Sequence, residues 1–454
     1  MSPLFRTGFL LTVGVAVLYA TSPVVTNGDS YLAFPTAVSM VEEGNIDLDE
    51  FDVPAVQQHY GIERHRGHSF DSYQWPAAVF AVPAVLGMKA LHVVGVTPSP
   101  VTLVVDDRMG LVQLWSASLV TALATLFVFL LAYEHLPGED QRRRRRLAAL
   151  VGLGFATATA AWSLASRALW QHGPSLLLLA AAVWLAGRIN RLGPTPASAA
   201  GLGALLAGAV FIRPTNGAPA LALSAWMVVR HRRALLPYAA GAVSVGLVGI
   251  AVNAATYGQA VPYYSSPGRR LAWHADYFTA VAANLVSPAR GLLLFSPVVL
   301  LAVAGLVVRH RRGRLDALDV SLAGAVVLQL LVVSASREAW WAGHSFGPRF
   351  MCDVLPLLAY LAVPAVDAAA TQTRLVQAAA VALLAVGVVV NAQGAWFRAA
   401  HCWNVEPVDI DADPARVWSV RDAQVTEGWR AFVASPRRAV SAPCGDDQRA
   451  LISP

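Results

Sequence analysis

Long apolar runs recur along this 454-residue chain, and arginine clusters fall in every second gap between them. No other feature restricts the fold as much, because a helix needs about 20 apolar residues to cross a bilayer, with a range of roughly 17–25. Runs of that order lie near 109–133, 147–165, 174–188, 197–213, 216–230, 235–255, 291–308, 317–335, 352–369 and 374–395, after a first run at Phe9–Ala20. They predict an all-α polytopic membrane protein, a bundle of about eleven transmembrane helices. Hydrophobic residues make up 56% of the chain and charged residues 14%, against about 25% charged in soluble domains. Too little polar surface remains for a soluble globular enzyme.

Arg142–Arg146 follow the second run, Arg188 and Arg191 the fourth, and Arg230, Arg232 and Arg233 the sixth. Arg309, Arg311, Arg312 and Arg314 follow the eighth, and Arg374 the tenth. All therefore share one side, which the positive-inside rule makes the cytoplasm. The expected placement is multi-pass in a bacterial cytoplasmic membrane, with the N-terminus cytoplasmic and the C-terminus extracytoplasmic. Thr21-Ser22-Pro23 offers no clear small-x-small cleavage site, so the first run is expected to stay as a helix. Trp75–Val94 is apolar enough to span, but spanning would invert every later cluster. With Pro76 and Pro83 inside it, this stretch is expected to lie along the outer interface.

The net charge of +6 is then a matter of orientation, and no nucleic-acid partner is implied. Outward regions fall at 26–106, 167–174, 256–290 and 336–351, and loops this long are uncommon unless functional. The chain divides into a transmembrane domain at 1–395, with 26–106 as its first extracytoplasmic loop, and an extracytoplasmic tail at 396–454. No Walker motif or Cys/His metal spacing is present.

Polar residues gather on the outward side. Asp29, Tyr31, the amphipathic Phe34–Val41 and Gly44 follow the first run. They resemble the first periplasmic loop of the GT-C glycosyltransferases, polytopic enzymes that use polyprenyl-phosphate sugars and include the aminoarabinose and protein mannosyltransferases. Phe70–Pro76 resembles the segment leading into the family's juxtamembrane helix, and Arg108 the arginine that often opens the second span. Ser166-Arg167 with Trp170–Pro174, Arg213-Pro214, Asn253 with Tyr257-Gly258, Ser287–Leu292 and Ser296-Pro297 resemble a bacterial branch of the superfamily. So do Trp340–Arg349 with Asp353 and Pro356, and the tail's Val417–Asp422. The likeness runs from about residue 7 to 425. The family usually shows an acidic pair after the first span; here Ser30 follows Asp29, which leaves one acid and weakens any metal role.

The resemblance implies a transferase. A sugar on a polyprenyl-phosphate donor enters from the outer leaflet, an acceptor hydroxyl attacks the anomeric carbon, and polyprenyl phosphate leaves. Asp29 is the candidate general base, which implies inversion. Arg167, Arg213, Arg269, Arg270, Arg290 and Arg349 are candidates to stabilise the leaving phosphate. Guanidinium groups can do the work of a divalent metal, so no cofactor is expected. Tyr31, Asp71, His172 and His344 are further candidate substrate contacts, and Trp340 and Trp341 could stack on a sugar ring. Each has a plain reading beside it: a solvated interfacial carboxylate for Asp29, snorkelling for Arg213, lipid contact for Arg269 and Arg270, a helix-end hydrogen bond for His172, and an aromatic belt for the tryptophans.

Cys402 and Cys444 both fall in the outward tail, where disulfides are permitted, and are expected to pair. The expected partners are the lipid-linked donor, a glycan, lipid or protein acceptor, and membrane lipids. The alternative is a transporter or flippase of lipid-linked sugar, which would show internal repeats and polar residues at the midplane.

Overall fold

The computed structural model describes residues 2–26, 28–73, 75–260, 271–441 and 444. Every expected span holds a helix: α1 (Pro3–Thr21), α5 (Gly110–His135), α6 (Gln141–Thr157), α7 (His172–Leu192), α8 (Pro196–Ile212), α9 (Gly217–Arg230), α10 (Leu235–Tyr257), α11 (Leu300–Arg311), α12 (Ala317–Ser334), α13 (Leu355–Ala369) and α14 (Arg374–Trp396). The first loop contributes α2 (Ala33–Glu42), α3 (Val82–Val93) and α4 (Pro100–Val105), with the hairpin β1 (Ile62–His65) and β2 (His68–Asp71). The tail contributes α15 (Gln424–Ala434).

Among the described residues, eight helical segments are long and apolar enough to cross a membrane; seven lie on expected spans and one is Trp75–Val93. Several expected spans are shortened for a visible reason. The run at 291–308 breaks into Leu292–Phe295, a tight turn at Pro297–Val299 and then α11, because Pro297 has no N–H to continue the helix. The run at 147–165 ends its α-helix at Thr157 and resumes as a wide turn at Ala161–Ala165.

Trp75–Val93 is a tight helix to Ala81 followed by α3. Ala78, Ala81 and Val85 share one buried core with Tyr31, Leu32, Phe34 and Val38, next to Val104 of α4 and Met109. The segment thus belongs to a cap laid over one end of the bundle.

Three of the five arginine clusters meet at the other end. Arg143 binds Asp367 (2.9 Å), Arg188 and Arg191 both bind Glu134 (2.6 Å each), and Arg312 lies 3.8 Å from Asp367. Asn190 donates to Asp316 (2.8 Å), tying the hairpins after the fourth and eighth spans together. Residues far apart in sequence thus share one face, as their alternation requires. Within the bundle, α8 and α10 cross at glycine: a Cβ on Gly203 would sit 2.0 Å from the Tyr238 carbonyl oxygen, and one on Gly241 1.9 Å from that of Ala200. Small residues at such crossings let helix backbones touch.

The tail folds back on the cap side. Trp429 donates to the Val389 carbonyl of α14 (2.9 Å), and a disulfide joins Cys402 to Cys444. Closing a 42-residue separation is worth about 2–4 kcal/mol. Cys402→Ser with Cys444→Ser is therefore expected to make the tail cleavable by protease at temperatures where the oxidised protein resists, as read by mass spectrometry of the fragments.

Candidate functional site

Asp29 sits in the turn between α1 and α2, and Arg349 opens the short helical turn Arg349–Val354 that leads into α13. Although 320 positions apart, they form an ion pair. Two phenols complete the carboxylate's shell: Tyr60 donates to Asp29 Oδ1 at 2.8 Å and Tyr73 to the same oxygen at 2.9 Å. Burial pushes the Asp29 carboxyl up. The charge and hydrogen bond of Arg349, with those of the two tyrosines, outweigh that and hold it below the usual carboxylate range. The Arg349 guanidinium carbon lies over the Trp170 ring, 4.3 Å from its centroid. Trp170 is itself fixed by donating to the Thr26 carbonyl (2.7 Å).

The cleft around this pair is also lined by Asp71, Tyr73, Gln171 and His172. It is tight, with about 20 Å³ of free space, room for little more than one water molecule. Asp71 is buried, and its Oδ1 accepts from the Tyr73 amide (2.9 Å). Burial pushes its carboxyl well above the usual range, and the Asp29 charge adds to the rise. A carboxyl raised by folding stabilises the protein below the ordinary Asp pKa of about 3.9. That contribution is lost as pH rises through the folded value. Asp71→Asn is thus expected to flatten the decline of melting temperature with rising pH above the ordinary Asp range, measured in detergent across a pH series.

Behind the cleft lies a second ionic group. His172 Nδ1 is 3.2 Å from Asp353, Arg213 is 3.0 Å from the other Asp353 oxygen, and Arg213 also contacts the His172 ring. All three are buried. Arg213 is therefore anchored inward and does not snorkel.

Other sequence candidates fall elsewhere. Arg167, fully buried, donates to the carbonyls of Tyr19 (2.5 Å), Ser22 (2.9 Å) and Trp162 (3.1 Å); it caps the end of α1 and is not among the residues that line the cleft. Arg290 is likewise buried, and all five of its donors are bound. They reach the carbonyls of Trp341 (2.5 Å), Ala289 (2.9 Å) and Gly343 (2.9 Å), and the side chains of Gln424 (2.7 Å) and Asn404 (2.9 Å). The expectation that Arg290 shares a pocket with Asp29 and Arg349 is thus corrected: it holds loops together. Tyr31 donates to Asp107 (2.7 Å). Trp340 packs with Trp403, Ile410 and Val417 of the tail, and Trp341 donates to Asp411 (2.6 Å). His344 contacts Asp409 (2.8 Å) and Asp411 (3.7 Å). These three face the tail. Arg269 and Arg270 lie outside the described residues.

Among the described residues, two groups bring three possible metal ligands within 4.8 Å: His344 with Asp409 and Asp411, and Asp47 with Asp49 and His68. Neither contains Asp29. Sequence reading missed Tyr73 and Gln171, which line the cleft, and Tyr60, which donates to Asp29. Tyr73 and Gln171 stand inside noted motifs; Tyr60 carries no local signal.

No family model matches this chain. No curated protein matches it either. Among solved structures it is similar to ArnT from Cupriavidus metallidurans bound to undecaprenyl phosphate, at 14% identity and a TM-score of 0.52, over 87% of this chain and 68% of that one. The apo form of the same protein is similar over 88% of this chain and 69% of that one, at 16% identity and a TM-score of 0.49. The likeness to the first shows the fold alone: this chain shares the helical membrane bundle of that protein.

Proposed function

We propose that this protein is a GT-C-type glycosyltransferase that moves a sugar from a polyprenyl-phosphate donor to a cell-envelope acceptor on the extracytoplasmic face. The observation that carries this reading is the Asp29–Arg349 pair, set in a cleft at the end of the bundle opposite the arginine clusters. The fold of a protein seen with undecaprenyl phosphate supports it. The orientation follows from the clusters: they mark the cytoplasmic face, so the first loop and the tail lie outside.

In the resting cleft Asp29 is a poor base, because an ion pair and two phenols satisfy it. A donor phosphate competes with Asp29 for Arg349, whose paired N–H donors fit a phosphate as they fit a carboxylate. Losing its cation, Asp29 gains basicity at the moment the donor arrives. An acceptor oxygen then attacks the anomeric carbon while the bond from that carbon to the phosphate oxygen breaks. The hydroxyl proton passes to Asp29, and the electron pair leaves with polyprenyl phosphate, held by Arg349. Attack opposite the leaving group inverts the anomeric centre. The acceptor is a glycan, a lipid or a protein.

Two measurements test this chemistry. Purified protein given labelled polyprenyl-phosphate sugars is expected to release free polyprenyl phosphate. Movement of intact donor across vesicles, with no release, would instead identify a flippase. Because guanidinium charge serves the leaving group, turnover is expected to survive treatment with EDTA within about twofold, measured by the same release assay; a loss restored by a divalent cation would contradict it.

A further inference from the structure

The loop that delivers Arg349 is held from behind in a regular pattern. The carbonyls of Trp341 and Gly343 accept from Arg290, the Ser345 carbonyl accepts from Gln424 Nε2 (3.0 Å), and the Gly347 amide donates to Gln424 Oε1 (3.0 Å). Every second residue from 341 to 347 is thus fixed by one of two side chains. The next step along the chain is Arg349, whose amide donates to the Gly347 carbonyl (2.9 Å). Gly347 has φ +68°, and a Cβ there would meet the Phe295 ring at 2.5 Å, so the backbone reaches Arg349 by a path only glycine allows.

Gln424 comes from far away in sequence, at the first position of α15 in the tail, and is fully buried. Its Oε1 also accepts from Arg290 (2.7 Å), which makes one amide the joint between the two clamps. Its Nε2 lies 3.3 Å from the Asn404 oxygen, next but one to the disulfide-bonded Cys402. Its other side-chain bonds go to Arg290, the Ala400 carbonyl and Asn404, so one amide ties the loop at two points to the tail, and methionine of similar volume would fill the same space without orienting that loop.

We propose that Gln424 is a positioning residue: the tail, through it, sets the backbone path that aims Arg349 into the cleft. This rests on the phosphate role given to Arg349 above, and the test separates the two claims. Wild type, Gln424→Met and Gln424→Glu are compared, each alone and combined with Arg349→Gln. The first measurement is hydrogen–deuterium exchange without ligand. Gln424→Met is expected to speed exchange in 341–349 on the order of tenfold while the spans keep their protection. Gln424→Glu keeps the acceptor for Gly347 and Arg290, so it should fall between Met and wild type; it also serves if the Met variant does not fold.

The second measurement is affinity for undecaprenyl phosphate. Gln424→Met is expected to weaken it on the order of tenfold with Arg349 present, and by less than about twofold in the Arg349→Gln background. Equal weakening in both backgrounds, or exchange unchanged at 341–349, overturns the positioning role. If wild type binds no polyprenyl phosphate, the transferase reading fails, and the exchange measurement alone decides whether Gln424 sets the Arg349 loop.

Discussion

Asp29→Asn is expected to lower turnover by a factor of about 10²–10⁴, the usual worth of a positioned general base, while polyprenyl phosphate still binds. The second half of that expectation is the more discriminating. The substituted side-chain amide would keep a carbonyl oxygen for Tyr60 and Tyr73, so the local shape should survive, but it would offer Arg349 no charge. A donor phosphate would then no longer compete with that carboxylate for Arg349, and affinity for undecaprenyl phosphate should hold or rise. A variant that loses binding and turnover together would mean that Asp29 shapes the cleft or holds the sugar. The pH dependence has a matching sign. Folding depresses the Asp29 carboxyl below its ordinary range, so its ion pair stabilises the fold above the unfolded pKa of about 3.9 and is lost as pH falls through the folded value.

Arg290→Met should have the largest effect on stability, about 3–5 kcal/mol, with thermal unfolding in detergent as the measure. Its guanidinium donates to five acceptors from four separate stretches of chain: Ala289 beside it, Trp341 and Gly343 in the late loop, and Asn404 and Gln424 in the tail. Methionine matches the stem but takes a donor from each acceptor; the Gln424 oxygen keeps the Gly347 amide and the Gly343 carbonyl keeps the Ser345 amide, while each acceptor left unpaired costs about 1–3 kcal/mol before relaxation. Trp403, whose ring lies 5.6 Å from the guanidinium carbon, would lose a face contact as well. Arg349→Gln should be much milder, because Arg349 is partly exposed and its carboxylate partner is a quarter exposed. An Arg290 variant that unfolds no earlier than wild type would return this residue to the list of candidate phosphate ligands.

The contrast between these two arginines shows what the sequence could and could not disclose. The spans were legible because hydrophobicity in a bilayer is set residue by residue, and the arginine alternation marks a face without any contact being known. Asp29 and Arg349 were legible because each stands beside a span end on the side away from the arginine clusters, in a recognisable motif. Arg290 stands in an equally good motif, Pro288-Ala289-Arg290-Gly291, yet turns inward. What separates it from Arg349 is its set of acceptors, two in the late loop about fifty positions on and two in the tail more than a hundred positions later. Arg167 misled for the same reason: its carbonyl partners at the end of α1 lie about 145 positions upstream. No periodicity reports such pairings. The shortened spans had a local cause at Pro297, and the tail's disulfide followed from compartment and number. The tail's role as a brace for the late loop did not.

The most direct test is a structure of the protein with undecaprenyl phosphate bound. The phosphate is expected within hydrogen-bonding distance of the Arg349 guanidinium, with the Asp29–Arg349 pair opened and Asp29 turned toward the space an acceptor hydroxyl would enter. Phosphate bound elsewhere, with Asp29 and Arg349 still joined, would contradict the account.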